Sequence, residues 1–294
     1  MFKVGFTKLF FSILLISAVA FIVLMMHKKY KRNEIDTPLK VLKGIIANDE
    51  KVIFVPNPGN GGDALIAQGT YDFFKKIGLK YEIGKENIKY SNKTLIYGGG
   101  GNIIGWYKGG ENFVKNNIKN NRIIILPHTI KGVDEMIKMF KKEDAIIVRD
   151  FMSYDYVKTL IPHQSSLYLS KDMAFYINMD KMPKPMKGKG ELNFFRTDIE
   201  KKNGFKTPDN NFDVSVKINY DGSMRDKDKV YKTTYEFLNE LNKYEVINTS
   251  RLHGSIGGSL MKKKVNLYDN SYGKNKAVYE YSFKNNKDIQ FIKI

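Results

Sequence analysis

The stretch KVIFVPNPGNGGDALIAQGTYDFFKKIGLKYEI, residues 51–83, decides the fold. Lys51–Pro56 is a short apolar run, Asn57–Asp63 is a turn of Asn, Pro and Gly, and Ala64–Ile77 sets Leu65, Phe73, Phe74 and Ile77 on one helical stripe before a second run, Lys80–Ile83. Apolar runs too short to be helices, alternating with amphipathic segments, are the pattern of a parallel sheet covered on both faces by its crossover helices. The alternation continues through Thr94–Tyr97 (TLIY), Arg122–Leu126 (RIIIL), Ala145–Val148 (AIIV) and Ser166–Leu169, with a further helix expected over Val133–Lys141. Residues 178–190, NMDKMPKPMKGKG, have no periodicity and read as a linker. Beyond it a second set is expected: strands Glu191–Phe195, Asp213–Ile218, Glu245–Asn248 and Val265–Tyr268, with a helix over Thr233–Lys243. The chain is therefore expected to be α/β, with two doubly wound, Rossmann-like domains at 49–177 and 191–294.

Upstream of these, Leu9–Met26 is free of charge and long enough to cross a bilayer. Ala18-Val19-Ala20 resembles a signal-peptidase site, but the apolar run continues through Phe21–Met26, which a cleaved signal does not need. Residues 1–32 thus read as an N-terminal transmembrane helix with a basic flank, and 33–48 as a stalk. Lys28, Lys29, Lys31 and Arg32 outweigh Lys3, Lys8 and the terminal amine, which places the globular part in the cytoplasm, with a secretory lumen as the alternative.

A net charge of +18 favours anionic partners. The lysines are scattered without aromatic interleaving or a recognisable binding motif, so nucleic acid is not expected. The chain has no cysteine, which removes disulfides and thiolate metal sites. His27 and His163 stand without acidic neighbours at ligand spacing, and no metal site is expected.

In open parallel sheets ligands bind beyond the carboxyl ends of strands, so the loops there are the candidates for chemistry. After the first strand, Gly59, Gly61 and Ala64 formally satisfy a dinucleotide fingerprint, and Glu82 stands where a ribose partner would. Asp63, however, would repel a pyrophosphate at the helix N-terminus; it reads either as a helix cap or as a carboxylate that orients or deprotonates an acceptor hydroxyl. The glycines Gly98–Gly101 before Asn102 permit close backbone approach to a ligand. Leu126-Pro127-His128-Thr129 places a histidine on the same edge, as a turn residue or a binding group. From the second half, Phe194-Phe195-Arg196-Thr197-Asp198 ends a strand on an arginine suited to a carboxylate or phosphate. In NTSRLHGSIGGSL, residues 248–260, Thr249 or Ser250 is placed to cap a helix starting near Leu252, whose N-terminus attracts an anion; Arg251 adds charge and His253 a titratable proton.

Taken in order, PGNGGDALI with Asn60 and Asp63, YGGGGN, LPHT, FFRTD, RLHG and LYDNSYGKN (267–275) resemble the polysaccharide pyruvyl transferase family over about residues 52–280. The resemblance implies two domains in a GT-B-like arrangement with the active site in the cleft between them. It also implies phosphoenolpyruvate as donor and co-substrate, no cofactor, and a sugar diol of a polysaccharide or glycolipid as acceptor, giving a pyruvate ketal. By the same resemblance, Arg196, Leu252 and His253 belong to the donor side and His128 to the acceptor side; the loops themselves add Arg251 to the donor side and Asn60, Asp63, Gly99, Gly100 and Asn102 to the acceptor side or pocket wall. His253 is then the expected acid, and Asp63 or His128 the group on the hydroxyl side. The competing expectations are a GT-B-type nucleotide-sugar glycosyltransferase and a membrane-tethered protein that binds an anionic glycan without turnover. One departure stands out: Asn203–Asn211 is polar where more strand and helix is expected.

Overall fold

A computed structural model describes residues 37–47, 51–218 and 222–293. The anchor reading of Leu9–Met26 falls outside these, and no helix among the described residues is long and apolar enough to cross a membrane. After helix α1 (Thr37–Ala47), the opening stretch folds as read from its pattern: β1 (Val52–Val55), α2 (Gly61–Ile77) and β2 (Tyr81–Ile83). There follow β3 (Thr94–Tyr97), β4 (Gly100–Ile104), α3 (Gly109–Asn117), β5 (Arg122–Lys131), α4 (Asp134–Lys138), β6 (Ala145–Val148), α5 (Phe151–Lys158) and β7 (Leu167–Leu169). The seven strands form one sheet in the order β2-β1-β3-β5-β6-β7, with β4 pairing on the far half of β5, and every pairing is parallel.

The alternation of strand side chains explains the layering. Ile53, Val55, Leu95, Ile123, Ile125, Ile146 and Val148 enter one core, while Val52, Phe54, Ile96, Ile124 and Ile147 enter the other, on the opposite face. Such two-sided burial is what continuous apolar runs require. The order reverses direction between β1 and β3, and crevices for ligands open at such switch points.

The second sheet is built from β8 (Glu191–Phe194), β9 (Val246–Thr249), β10 (Lys264–Tyr268) and β11 (Ile289–Ile292), all parallel in the order β11-β10-β9-β8. Its helices are α6 (Val214–Lys217), α7 (Lys227–Asn242), α8 (Leu252–Leu260) and α9 (Lys274–Val278). Both sheets lie within one compact unit, Pro38–Ile294. Helix α2 joins them: Ala64, Ile66 and Phe73 pack into the first sheet's core and Leu65 into the second's, and Thr234 of α7 donates to the Ala64 carbonyl at 3.1 Å. Gly69 lets the chain at Met173 lie against α2, since a Cβ there would meet the Met173 carbonyl at 1.9 Å.

Several expectations are corrected. Asp213–Ile218 is not a strand: Asp213 caps the short helix α6 by accepting from Ser215 N, and the Val214/Val216 alternation places Val216 in solvent. The helix expected over Val133–Lys141 is only α4. Helix α7 starts six residues before the expected Thr233, because Asp226 accepts from the N–H groups of Asp228 and Lys229. The residues 178–190 are strapped down: Asn242 accepts from Met186 N at 2.9 Å and donates to the Lys184 carbonyl at 2.8 Å. Strands β4 and β11 and helix α3 go beyond what the sequence pattern shows; the first begins on glycines, which carry no side-chain alternation to read.

Candidate active site

Each arm of the site begins at a strand end. Asn60 is the N-cap of α2: its side chain accepts from Gly62 N at 2.9 Å, and Asp63 returns a bond by accepting from Asn60 N at 2.9 Å. This is a capping box, so Asn60 is the cap and Asp63 its reciprocal partner. It also satisfies the donors a pyrophosphate would use, which disfavours the dinucleotide fingerprint. On the second sheet, Thr249 accepts from Arg251 N at 2.9 Å and donates to the Phe194 carbonyl at 2.7 Å, while Ser250 accepts from Arg196 N at 3.1 Å. The two polar side chains expected to cap α8 instead stitch the end of β8 to the end of β9. That sets Arg196 and Arg251 side by side. Arg251 is the N-cap of α8 and supplies no side-chain cap, leaving the helix N-terminus turned to the cavity lined by Leu252 and His253.

One cavity of about 260 Å³ is lined from both sheets: Asn60, Asp63 and Asn102 on one side, Arg196, Arg251, Leu252 and His253 on the other. Seven sequence-identified residues therefore converge. Gly99, Gly100 and His128 do not line it. A Cβ on Gly99 would meet the Pro127 carbonyl at 2.8 Å and one on Gly100 the Asn57 amide at 2.2 Å, so these glycines serve close packing of the chain. Of the Gly98–Gly101 run, Gly101 is the one on the cavity, where a Cβ would fall 2.6 Å from the Arg149 guanidinium. His128 lies within β5, not in a turn, and is 0% exposed. Its Nε2 is 3.0 Å from Asn102 Oδ1 and 3.3 Å from Asn102 N, and burial, with Arg149 nearby, holds its pKa well below the ordinary histidine value. A neutral imidazole one layer behind the cavity steadies Asn102, and it does so together with Asn57, which accepts from Asn102 Nδ2 at 2.7 Å and from the Tyr97 hydroxyl at 3.1 Å.

Sequence reasoning missed Arg149 and Lys274, both on the cavity wall. Arg149 follows the AIIV strand as Arg196 follows its own, so the same strand-end rule applied there would have found it. Lys274 lies in the LYDNSYGKN stretch. The four cations are all neutralised by carboxylates. Arg196 meets Asp198 at 2.7 Å and Glu200 at 2.7 Å, Arg251 meets Asp213 at 2.6 Å and Asp198 at 2.7 Å, Lys274 meets Glu200 at 2.7 Å, and Arg149 meets Asp172 at 2.5 Å. Asp198 is the exception in burial, at 39% side-chain exposure. Its two oxygens take Arg196 Nε and Nη2 at 2.7 and 3.0 Å and Arg251 Nη1 at 2.7 Å, so a carboxylate already sits in a fork made by both arginines.

Burial would raise the pKa of Glu200, but Lys274 and Arg196 outweigh it and hold the acid down at about 2. Lys274 is pulled to about 8 by burial, with Arg196 and Arg149 acting against the attraction of Glu200. The pair is thus ionised at neutral pH although burial disfavours both charges.

His253 stands between the halves. Its ring packs on Gly62, where a Cβ would fall 2.9 Å from Nδ1, and its Nε2 is 3.6 Å from Asp172 Oδ2, across from the first sheet. Asp172 is fully buried; desolvation would raise its pKa, but Arg149 and His253 hold it well below the carboxylate range. No group of acidic and histidine side chains able to hold a metal ion occurs among the described residues.

This arrangement agrees with the chain's relatives. The chain is 26% identical over 302 residues to a protein of Bacillus subtilis (strain 168) named as a candidate pyruvyl transferase, EpsO, covering 85% of this chain and 91% of that one. The fold is similar to the crystal structure of a functionally uncharacterised protein from Klebsiella pneumoniae subsp. pneumoniae NTUH-K2044. That likeness has a TM-score of 0.78 and 34% identity, and covers 88% of this chain and 98% of the other. Residues 60–272, which include Asn60, Asp63, Asn102, Arg149, Arg196, Arg251, Leu252 and His253 of the cavity wall, match the model of the polysaccharide pyruvyl transferase family, and the chain belongs to that family.

Proposed function

We propose that the protein transfers the pyruvyl group of phosphoenolpyruvate to two hydroxyls of one sugar in a polysaccharide or lipid-linked glycan, forming a pyruvate ketal. The observation that carries this reading is the fork of Arg196 and Arg251. It already holds one carboxylate, that of Asp198, beside His253 and the open N-terminus of α8. A carboxylate with a neighbouring phosphate is the donor such a fork suits.

In the reaction, His253 gives a proton to C3 of the enol while positive charge develops at C2. A sugar hydroxyl attacks C2, the bond from C2 to the phosphate oxygen breaks, and a second hydroxyl of the same sugar closes the ring. Of the two hydroxyl protons, one replaces in net the proton delivered to C3 and the other leaves with phosphate. Asp63, on the cavity wall opposite the arginines, takes the hydroxyl proton, and Asn102 orients the acceptor. The arginines, Lys274 and the helix terminus steady the departing phosphate. The chemistry calls for no organic cofactor or metal. On this reading the two-sheet cleft would work as in a GT-B-like arrangement, and Leu9–Met26 would tether the enzyme to the membrane carrying its glycan.

Incubation with phosphoenolpyruvate and a panel of pyranoside acceptors tests the reading. Phosphate release that depends on acceptor supports it; consumption of a sugar nucleotide instead indicates a glycosyltransferase, and glycan binding without product a non-catalytic protein. His253→Ala is expected to abolish release while calorimetric binding of phosphoenolpyruvate persists. Undiminished turnover in that variant removes His253 from the role of acid.

A further inference from the structure

Trp106, the chain's one tryptophan, is 51% exposed, unusual for so large an apolar ring. Its place is specific. It follows β4, whose Gly101 and Asn102 line the cavity, and its neighbour Tyr107 lines the cavity too, with its hydroxyl 3.3 Å from Glu200. Trp106 itself is not on the cavity wall. It stands one residue outside, on the rim. There its ring meets that of Tyr272 at 5.5 Å and 84°, and Tyr272 comes from the second sheet's side, two residues before the cavity-lining Lys274. Tyr272 is held in turn by Lys131 and Lys274, 5.9 and 5.4 Å from its centroid. The indole is therefore fixed from both halves of the protein at the mouth of the site, with about half its surface open.

A fixed aromatic ring beside a polar cavity suits a ligand with an apolar face and a polar edge. A pyranose is such a ligand: one face presents axial C–H groups, slightly positive, which pack on the electron-rich face of an indole, while its hydroxyls remain in water. We propose that Trp106 is a binding platform for the acceptor glycan, taking the pyranose that adjoins the one that reacts. The ring's place outside the cavity wall selects the neighbour over the reacting sugar itself. It follows that the enzyme recognises at least two linked sugars. The proposal rests on the pyruvyl-transfer reading for the identity of the glycan as acceptor, not for the binding itself.

Because no second tryptophan contributes, emission of the full-length protein excited on the red edge, where its tyrosines do not absorb, reports on this ring alone. Without donor, titration with neutral pyranosides and their disaccharides, of gluco, galacto and N-acetylhexosamine type, is expected to change the emission, with disaccharides saturating at lower concentration. In the phosphate-release assay Trp106→Ala is expected to raise the KM for a disaccharide acceptor about tenfold, and Trp106→Phe by less. The KM for phosphoenolpyruvate is expected to hold. Emission indifferent to every saccharide, or an unchanged disaccharide KM in Trp106→Ala, overturns the platform. A saturating emission response without phosphate release from any acceptor upholds the platform and refutes pyruvyl transfer; release with neither Trp106 effect does the reverse.

Discussion

Glu200→Gln is the substitution whose consequence follows most directly from the geometry. Glu200 accepts from Lys274 Nζ and Arg196 Nη1 at 2.7 Å each and from Asn270 at 3.1 Å, with only 7% of its side chain exposed. Its pKa falls from 4.5 to about 2. A tenfold change in proton affinity is worth about 1.4 kcal/mol, so the ionised side chain contributes about 3 kcal/mol at neutral pH. Glutamine keeps the shape and one acceptor but leaves two buried cations without this counter-charge, an error buried ion pairs tolerate badly. At about 2–4 °C per kcal/mol for a domain of this size, the midpoint of thermal unfolding should fall by about 10 °C near pH 7. The sign of the pH dependence is fixed by the depressed pKa. The contribution is complete above the unfolded-state value and is lost as pH falls toward the folded-state value, so the gap between wild type and variant should shrink by more than half by about pH 3. Calorimetry of both proteins from neutral pH downward is the assay. A gap below about 1 kcal/mol at neutral pH, or one that stays constant on acidification, would show that Glu200 is not the counter-ion that steadies Lys274 and Arg196.

Further outcomes are expected at three positions. Asp198→Asn removes the carboxylate from the arginine fork, and an entering donor then displaces no internal anion; the KM for phosphoenolpyruvate should fall several-fold, whereas a rise would make Asp198 a support for the arginines and not their stand-in ligand. Gly62→Ala drives a methyl to within 2.9 Å of the His253 ring, and should lower kcat at least about tenfold with little change in donor affinity; equal kcat would mean that the ring's seat on α2 is unimportant. Lys274 has a folded-state pKa of about 8, below its ordinary 10.5, so its protonated form opposes folding. Stability should therefore rise between about pH 8 and 10 in the wild type relative to Lys274→Met, as read from urea midpoints, and parallel profiles would contradict the assignment.

Local pattern carried a good deal of this. The runs at β1, β3 and β6 are legible because two-sided burial writes itself into consecutive apolar residues, and the position of loops at strand ends points to Asn60, Asp63, Arg196 and the Arg251–His253 segment. The same reasoning failed where the signal is not local. LPHT is the continuation of β5, since a polar residue inside a sheet looks like a turn until its partner, Asn102, is placed against it. Glycines conceal β4 because alternation needs side chains.

What the sequence determined by itself is the alternation of strand and helix, the chain positions where loops meet the ligand edge, and the chemical types available there. Which of those groups share a cavity was decided by tertiary structure alone. His253 and Asp172 belong to different sheets, and they meet only because α2 packs into both cores. Asp198 in the fork of two arginines, and Lys274 against Glu200, likewise depend on how β8, β9 and α9 come together. The physical reason is that burial and periodicity act on neighbours along the chain, whereas the pairing of charges depends on distance in space, which packing sets.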